Sequence, residues 1–333
     1  MGLKQALPNA WRRQARWLVL LKPLAWLYGW VSARQRLQYQ SGKKPVYRAP
    51  VPIMVIGNIT VGGSGKTPLI IELVRFLQQD CGLRVGVISR GYGGIGEFPR
   101  LVEPYDDPVR CGDEPVLIAT QTQVPVAVAP KRQAAIECLL AQHTVDLILS
   151  DDGLQHWAMA RDLEWIVLDT RYGVGNGWLL PAGLLREPAS RLQTATVIEH
   201  GVSSSPYQMQ LAAQALQGYH QPANAVTPVA GQTVHAVAGI GDPSRFFRTL
   251  QALGFVLIEH PFDDHHAYQA QDIQFADGLP VITTAKDAVK WAAFTQPFWV
   301  LPVCAQLSPA CYTLLQQQLQ DLGVLPPLTQ HPS

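Results

Sequence analysis

A glycine-rich segment that ends in a lysine and a threonine is the part of the sequence whose residue types most directly predict chemistry. It runs from Asn58 to Thr67 and reads NITVGGSGKT. Backbone N–H groups of such a turn converge on phosphate oxygens, the lysine reaches the β and γ phosphates, and the threonine hydroxyl ligates Mg²⁺. The predicted phosphate-binding residues are Thr60, Val61, Gly62, Gly63, Ser64, Gly65, Lys66 and Thr67.

This segment departs from the usual phosphate-loop pattern, G-x-x-x-x-G-K-[ST], at its first position, where Thr60 replaces glycine. Other glycines, at 57, 62, 63 and 65, keep the chain flexible. An apolar run precedes the segment, and an amphipathic pattern from Leu69 to Leu77 follows it. This order of strand, loop and helix is the one that the phosphate-binding loop (P-loop) requires, and it predicts a protein that uses ATP or GTP.

A pair of carboxylates follows a second apolar run, in the segment VDLILSDDGLQH. The predicted strand Val145 to Ser150 ends in Asp151 and Asp152, which places both at the carboxyl edge of the sheet, where ligands of open α/β sheets bind. A P-loop needs such a carboxylate to hold Mg²⁺ directly or through water. One of the pair is expected to reach the metal, and the other to fix the loop or to orient His156.

Apolar runs and helical patterns alternate after the first fifty residues, which predicts parallel strands joined by crossover helices. We therefore predict an α/β fold: a P-loop NTPase-like, mostly parallel sheet with flanking helices, a second, smaller α/β domain and an N-terminal amphipathic helix. The predicted division is an N-terminal helix over 1–33, a P-loop domain over 34–225 and a smaller C-terminal α/β domain over 226–333. The weakly patterned stretch after Gly201 is expected to hold a linker or a pair of ribbon strands.

The first fifty residues hold ten Lys or Arg, no Asp or Glu, and four of the nine tryptophans. Their apolar positions recur at helical spacing, and Trp17, Trp26 and Trp30 alternate with cations. Such a helix suits the membrane interface, where aromatic rings lie among acyl chains and Arg or Lys meets anionic headgroups. The alternatives are a helix packed on its own domain and a true membrane span, for which the apolar run is barely long enough.

The composition excludes several classes of protein. The chain has 333 residues, a net charge of +1 and 47% apolar residues, which is typical of a soluble globular protein with a sizeable core. Its five cysteines form no C-x-x-C pair, so neither a disulfide framework nor a zinc ribbon is predicted, and a reducing compartment is expected. No removable signal peptide, no recognised nucleic-acid reader motif and no obligate protein partner is evident.

A histidine-rich segment, HPFDDHHAY, lies in the predicted C-terminal domain. His260, Asp263, His265 and His266 offer ligands for a metal ion, and the same histidines can equally be structural or catalytic. The residues by themselves leave these three interpretations open.

Further motifs stand in one order along the chain and identify a family. They are VISRGYGG, CGDEPVLIA, DDGLQH, GNGWLLPAGLLREP, FDDHH and TTAKDAVK. Together with the P-loop and the Trp-rich basic head, they resemble the tetraacyldisaccharide 4′-kinases over nearly the whole chain. The resemblance implies a peripheral enzyme on the cytoplasmic face of the inner membrane. It implies that ATP and Mg²⁺ are used to phosphorylate the 4′-hydroxyl of an acylated disaccharide 1-phosphate lipid, giving the bis-phosphorylated lipid A precursor.

The resemblance also implies roles for particular residues. Asp113 is expected to act as the base, supported by His265, with His266 as the ambiguous neighbour, while Lys66 stabilises the transferred phosphoryl group. Glu114 is expected to join Thr67 and an aspartate of the pair 151–152 around Mg²⁺. If the chain is extended there, Asp113 and Glu114 point to opposite sides. The candidates for binding substrate phosphate or sugar are Arg90, Tyr92 and Arg186, each of which could instead form an ion pair.

One rival class uses the same P-loop. A nucleotide-driven metallochaperone or assembly switch would hydrolyse the nucleotide to change shape, and its histidine segment would carry a metal ion. No guanine-reading N-K-x-D segment is evident in the sequence, which favours ATP over GTP.

Overall fold

A nine-stranded sheet forms the larger part of the computed structural model, which describes residues 7–8, 10–11 and 13–326. The strand order is β14, β8, β7, β6, β1, β5, β2, β4, β3. Neighbours from β8 to β4 are parallel, and only the two edge pairs are antiparallel. The strands are β1 (Ile53–Gly57), β2 (Val85–Ser89), β3 (Arg100–Val102), β4 (Val126–Val128), β5 (Leu147–Asp151), β6 (Leu163–Asp169), β7 (Thr196–His200), β8 (Gln208–Ala213) and β14 (Val303–Leu307).

Strand β1 lies at the centre of this sheet and is buried on both faces. Met54 and Ile56 pack in the core on one side, and Ile53 and Val55 pack in the core on the other. Burial on both faces explains why β1 is a continuous apolar run rather than an alternating one. The predicted P-loop-type, mostly parallel α/β fold is therefore confirmed.

Helices cover both faces of this sheet and continue into the second half of the chain. The α-helices are Lys22–Gln40, Lys66–Gln79, Pro108–Cys111, Asp113–Thr122, Arg132–Gln142, Pro243–Ala252, Ala285–Ala288 and Pro309–Asp321. Short 3₁₀ helices occur at Arg16–Leu21, Ala189–Gln193, Ala270–Ile273 and Val289–Trp291.

A second sheet of five strands has the order β11, β10, β12, β13, β9. Its strands are parallel except for β9, which pairs antiparallel with β13. The strands are β9 (Gln217–Tyr219), β10 (Thr233–Ala238), β11 (Val256–Pro261), β12 (Val281–Thr284) and β13 (Phe298–Leu301). This smaller sheet, packed with the helix Pro243–Ala252, is the second α/β unit that the alternating pattern predicts.

The two sheets exchange strands across the predicted boundary at residue 225. Strand β9 precedes the boundary but pairs in the small sheet, whereas β14 follows it and pairs with β8 in the large sheet. The final helix, Pro309–Asp321, also contributes Cys311, Leu315 and Leu319 to the core of the large sheet. The chain therefore crosses between the units twice. The domain boundary at residue 225 remains a prediction, because strands on both sides of it pair with the other unit.

The N-terminal segment forms a 3₁₀ turn followed by a helix that continues past the predicted end at residue 33 to Gln40. One side packs on the large unit: Leu18 and Ala25 are buried, and the Tyr28 hydroxyl donates to the carbonyl of Arg186 at 2.9 Å. Residues 1–6, 9 and 12, which the predicted helix includes, lie outside the described residues. Among the described residues, no helix is long and apolar enough to cross a bilayer.

Candidate active site

The P-loop connects the buried strand β1 to the helix Lys66–Gln79, as the sequence pattern predicts. Gly65 caps this helix with φ of 93°, and Gly62 has φ of 106°; both values lie in the region that favours glycine. The imidazole Nδ1 of His200, at the end of β7, lies 2.7 Å from the carbonyl oxygen of Ser64. A Cβ at position 65 would lie 3.0 Å from that ring nitrogen, so the loop and the imidazole leave no room for a side chain.

Lys66 points back across the loop toward two oxygen ligands. Its Nζ donates to Asn58 Oδ1 at 3.1 Å and lies 3.6 Å from Asp152 Oδ1. Asn58 has no role in the sequence analysis, because a single buried asparagine has no signature that distinguishes it from other loop residues. The structure shows that its side chain holds the ammonium group at the mouth of the loop.

Asp152 and Arg186 form a bidentate ion pair beside Lys66. The Arg186 NH1 group donates to Asp152 Oδ2 at 2.9 Å, and NH2 donates to Oδ1 at 2.7 Å. Arg186 NH2 also donates to the Asn58 carbonyl at 2.7 Å and to its side-chain oxygen. Burial raises the pKa of Asp152, but the charges of Lys66 and Arg186 outweigh burial and hold this pKa well below its usual range. This carboxylate is therefore ionised and committed to two cations.

Asp151 faces the cavity from the end of β5 and is almost completely buried. Its Oδ2 accepts a 3.3 Å hydrogen bond from Ser89, whereas its Oδ1 is buried without a hydrogen-bond partner among the described residues. Burial and the nearby charge of Glu114 raise the pKa of Asp151. A buried carboxylate oxygen without a donor is an atom that a cation would satisfy.

Asp113 and His265 are in direct contact although they come from different units: Asp113 starts a helix beside the large sheet, and His265 follows β11 of the small sheet. His265 Nδ1 lies 3.1 Å from Asp113 Oδ1 and 3.0 Å from Oδ2. Burial raises the pKa of Asp113, but the hydrogen bond from His265 and the charge of Lys286 outweigh it and bring the pKa to about 2. The same hydrogen bond raises the pKa of His265 against the effect of burial. The pair is therefore a buried carboxylate that holds an imidazole in one orientation.

Asp113 and Glu114 are the first two residues of the helix Asp113–Thr122, so the chain is not extended there. Their side chains therefore do not point to opposite sides, as they would on an extended chain. Asp113 faces His265, and Glu114 faces Lys286. Lys286 Nζ lies 3.0 Å from Glu114 Oε1 and 3.3 Å from Asp264 Oδ1. Lys286 thus bridges the P-loop unit and the small unit.

The other histidines of the segment HPFDDHHAY have separate partners. His266 Nε2 lies 3.2 Å from Asp272 Oδ2, and His260 Nε2 lies 2.9 Å from Nδ1 of His235. No group of three or more His, Cys, Asp or Glu side chains within residues 7–8, 10–11 and 13–326 is arranged to hold a metal ion. The histidine metal site that a metallochaperone would need is therefore not found in the described part of the chain.

One cavity of about 1390 Å³ lies between the P-loop and the residues that the small unit contributes to the site. The P-loop, Asp151 and Asp152 line it, and so do His265 and Lys286 of the small unit. The remaining predicted substrate residues also line it: Arg90 is exposed, and the ring of exposed Tyr92 lies 5.2 Å from the His265 ring, between centroids. Arg186 lines the cavity too, but both of its terminal nitrogens are occupied by Asp152 and Asn58.

Two functional candidates escaped the sequence analysis, Lys286 and Lys290. Both belong to the motif TTAKDAVK, which identified the family but received no role. The spacing of four residues on a helical segment places both ammonium groups on one face, within 3.9 Å and 3.8 Å of Asp113 Oδ2. The spacing of four residues between the two lysines was the feature of the sequence that could have predicted this.

The central parallel sheet, the glycine-rich loop and the lysine at the helix start define the chain as a P-loop protein of the class that uses nucleoside triphosphates. The family model for tetraacyldisaccharide-1-P 4′-kinase matches residues 17–320. The chain belongs to this family, and the family prediction made from the motifs is confirmed.

Relatives and a solved structure agree with this assignment. A tetraacyldisaccharide 4′-kinase of Psychrobacter cryohalolentis is 47% identical, covering 97% of this chain and 98% of the relative. The enzyme of the same name from Pseudomonas fluorescens is 46% identical, covering 97% and 98%. The structure of "apo" form LpxK from Aquifex aeolicus in complex with ATP matches with a TM-score of 0.73 at 25% identity, covering 90% of this chain and 99% of that one. The prediction that the chain is a kinase is confirmed.

Proposed function

We propose that this chain transfers the γ-phosphate of ATP to the 4′-hydroxyl of a tetraacyldisaccharide 1-phosphate, forming the bis-phosphorylated lipid A precursor. The observation that carries the proposal is a single cavity lined both by the P-loop and by His265, the imidazole that contacts the buried Asp113 carboxylate. A phosphoryl donor and a proton acceptor must face each other across such a space for the reaction to occur. Family membership supplies the identity of the donor and the acceptor.

The P-loop residues 60–67 hold the triphosphate through their backbone N–H groups and the positive end of the following helix. Lys66 neutralises the charge that develops as the γ-phosphoryl group leaves. Its position is set by Asn58 and Asp152, and Arg186 keeps Asp152 in place. Asn58, Asp152 and Arg186 therefore preorganise the lysine before the nucleotide binds.

Mg²⁺ fits the residues present in this cavity. Thr67 supplies a hydroxyl at the start of the helix, and Asp151 supplies the carboxylate oxygen that has no hydrogen-bond donor. Glu114 adds a second carboxylate whose charge acts on Asp151. These three are hard oxygen donors of the kind that Mg²⁺ prefers. Asp152 is the weaker candidate of the predicted set, because its two oxygens are held by Lys66 and Arg186. When bound, the metal neutralises charge on the phosphate oxygens.

The acceptor hydroxyl gives its proton to the Asp113–His265 pair. A sugar hydroxyl is a poor nucleophile at neutral pH, so a positioned base is required. Both oxygens of Asp113 are within hydrogen-bonding distance of the imidazole. The protonation of the carboxylate and that of the imidazole are therefore coupled. Arg90, Tyr92 and Arg186 remain the candidates for contacting the sugar and its phosphate, and the Tyr92 ring lies 5.2 Å from the imidazole ring, between centroids.

The lipid acceptor stays in a bilayer, so the kinase must reach the membrane surface. We place the enzyme peripherally on the cytoplasmic face of the inner membrane, attached through the N-terminal helix. Trp26 and Trp30 are 74% and 60% exposed there, beside exposed Leu20, Leu24 and Leu27. Exposed aromatic and aliphatic side chains in a segment rich in Arg and Lys are typical of an interfacial helix.

The variant Trp26→Ser/Trp30→Ser tests this attachment. Burying one large apolar side chain contributes about 1.5–3 kcal/mol, so partitioning onto anionic phosphatidylglycerol vesicles is expected to fall roughly 10-fold or more. Cosedimentation measures it, and added salt should release part of the wild-type protein because it screens the basic residues. Val226→Ser/Val229→Ser is the matched control, since these two valines are also exposed but lie outside the helix. Equal binding by both variants would contradict the attachment.

The reaction itself is tested by incubating the protein with γ-labelled ATP, Mg²⁺ and tetraacyldisaccharide 1-phosphate in detergent. The label is expected to move to a lipid that carries one more phosphate, which chromatography separates from the substrate. Release of inorganic phosphate without labelled lipid would contradict the proposal and would favour a nucleotide-driven switch.

A further inference from the structure

A buried lysine that the proposed mechanism does not use lies behind the Asp113 carboxylate. Lys290 belongs to the 3₁₀ helix Val289–Trp291, and its side chain is 10% exposed. Its Nζ lies 3.8 Å from Asp113 Oδ2 and 2.7 Å from Asp287 Oδ1. Lys290 therefore connects the Asp113–His265 pair to a second, deeper carboxylate.

Asp287 is held rigidly by its surroundings. It is completely buried, and its Oδ2 accepts hydrogen bonds from the Gly239 amide at 3.0 Å and from the Thr284 hydroxyl at 2.7 Å. Two hydrogen bonds on one oxygen fix the plane of the carboxylate, so Oδ1 has a set direction toward Lys290. A buried carboxylate requires a cation, and Lys290 supplies it.

The two oxygens of Asp113 have different surroundings. Oδ1 accepts from the Glu114 amide at 2.9 Å, at the start of the helix. Oδ2 lies among three groups that carry or can carry positive charge: His265, Lys286 and Lys290. Lys286 is shared with Glu114 and Asp264 on the cavity wall, whereas Lys290 is anchored to the fixed Asp287.

Lys286 and Lys290 also differ in their access to the reactants. Among the described residues that line the cavity, Lys286 is present and Lys290 is not. Lys290 can therefore influence the reaction only through a residue that it contacts. Its ammonium also lies 5.1 Å from the centroid of the Tyr268 ring.

We propose that Lys290, anchored by Asp287, is a positioning residue that fixes the Asp113 carboxylate in the orientation that holds His265. The inference rests on the proposed function, because it assigns Lys290 a part in preparing the acceptor base. Without the ammonium, the Asp113 side chain rotates more freely about its Cα–Cβ bond, and the imidazole loses its fixed partner. Turnover then falls, while nucleotide binding at the distant P-loop is unaffected.

A purely structural ion pair between Lys290 and Asp287 is the competing explanation, and two variants separate the explanations. Lys290→Met keeps the length of the side chain but leaves Asp287 as an unpaired buried charge, so the variant is expected to be less stable. Lys290→Met/Asp287→Asn removes both charges and is expected to recover stability. If the pair is only structural, the double variant also recovers turnover.

The experiment measures kcat and the KM for ATP with the full-length protein, Mg²⁺ and tetraacyldisaccharide 1-phosphate, beside thermal melting of each variant. We expect both variants to lose about 10- to 10²-fold in kcat, the scale of a small misplacement in an active site, with the KM for ATP unchanged. In an Asp113→Asn background, Lys290→Met is expected to add no further loss, because the group that it positions is already disabled.

A double variant with wild-type kcat would overturn the inference, as would a full multiplicative loss in the Asp113→Asn background. Failure of the wild-type protein to phosphorylate the lipid would instead overturn the proposed function, and the wild-type assay detects that outcome before any variant is compared.

Discussion

Replacing Asp113 and His265 together with alanine is expected to lower kcat no further than the more damaging single replacement does. The imidazole contacts both oxygens of the carboxylate at 3.0–3.1 Å, so the two side chains act as one unit. Loss of a general base costs about 10²- to 10⁴-fold, and we expect each single variant to fall in that range. Residues that act as a unit lose activity non-additively.

Steady-state kinetics on the wild-type protein, the two single variants and the double variant measure this coupling. His266→Ala is the matched control: His266 is the next residue in the chain but pairs with Asp272, so its kcat is expected to stay close to that of the wild type. ATP affinity should be retained in all variants, because neither Asp113 nor His265 is assigned to the nucleotide. Multiplicative losses, or a larger effect at His266 than at His265, would show that the pair is not the base.

Lys66→Ala is expected to lower turnover by at least roughly 10²-fold, the scale on which loss of one preorganised electrostatic donor acts. The lysine is the cation that the P-loop pattern assigns to the β and γ phosphates, and its Nζ is held by Asn58 Oδ1 at 3.1 Å. Asp152 keeps its bidentate pair with Arg186 in this variant, so the fold is expected to survive. Single-turnover phosphorylation of the lipid measures the loss, and thermal melting tests the fold.

Near-normal phosphorylation by Lys66→Ala, with a normal melting curve, would mean that the loop at 60–67 is not the phosphate-binding site. Substitution of Asp152 by asparagine offers a second check on the same network. It leaves Arg186 and Lys66 without their shared carboxylate, so a stability loss is expected there that Lys66→Ala does not show.

Local patterns predicted most of the secondary structure close to the site. The helix expected over Leu69 to Leu77 is Lys66–Gln79, and the strand expected over Val145 to Ser150 is β5, Leu147–Asp151. These elements are governed by hydrophobic periodicity and by glycines in the loop between them, which are properties of neighbouring residues. Strands β7 and β14 were not predicted, and β8 lies in the weakly patterned stretch after Gly201 where a linker or ribbon strands were expected. All three are only partly buried, so they lack the continuous apolar run that marks β1.

The features of the site that depend on neighbouring residues were also easier to predict than those that depend on distant ones. The P-loop was predictable because its glycines, Lys66 and Thr67 are consecutive, and a phosphate-binding turn needs only consecutive residues. Opposed directions for Asp113 and Glu114 depended on an extended chain, and that condition is not met, because Gly112, with φ of 93°, precedes a helix that starts at Asp113. Helical geometry turns successive side chains by about 100° rather than to opposite faces.

The sequence by itself determined the phosphate chemistry, the family and the α/β class, since consecutive residues and ordered motifs carry that information. Only the tertiary structure decided which distant groups meet: His265 rather than His266 against Asp113, Arg186 on Asp152, and Lys286 and Lys290 behind the base. Asp113 and His265 are 152 positions apart in the chain. Their contact depends on how the two sheets pack, and packing is set by many weak contacts distributed over the whole chain rather than by any one motif.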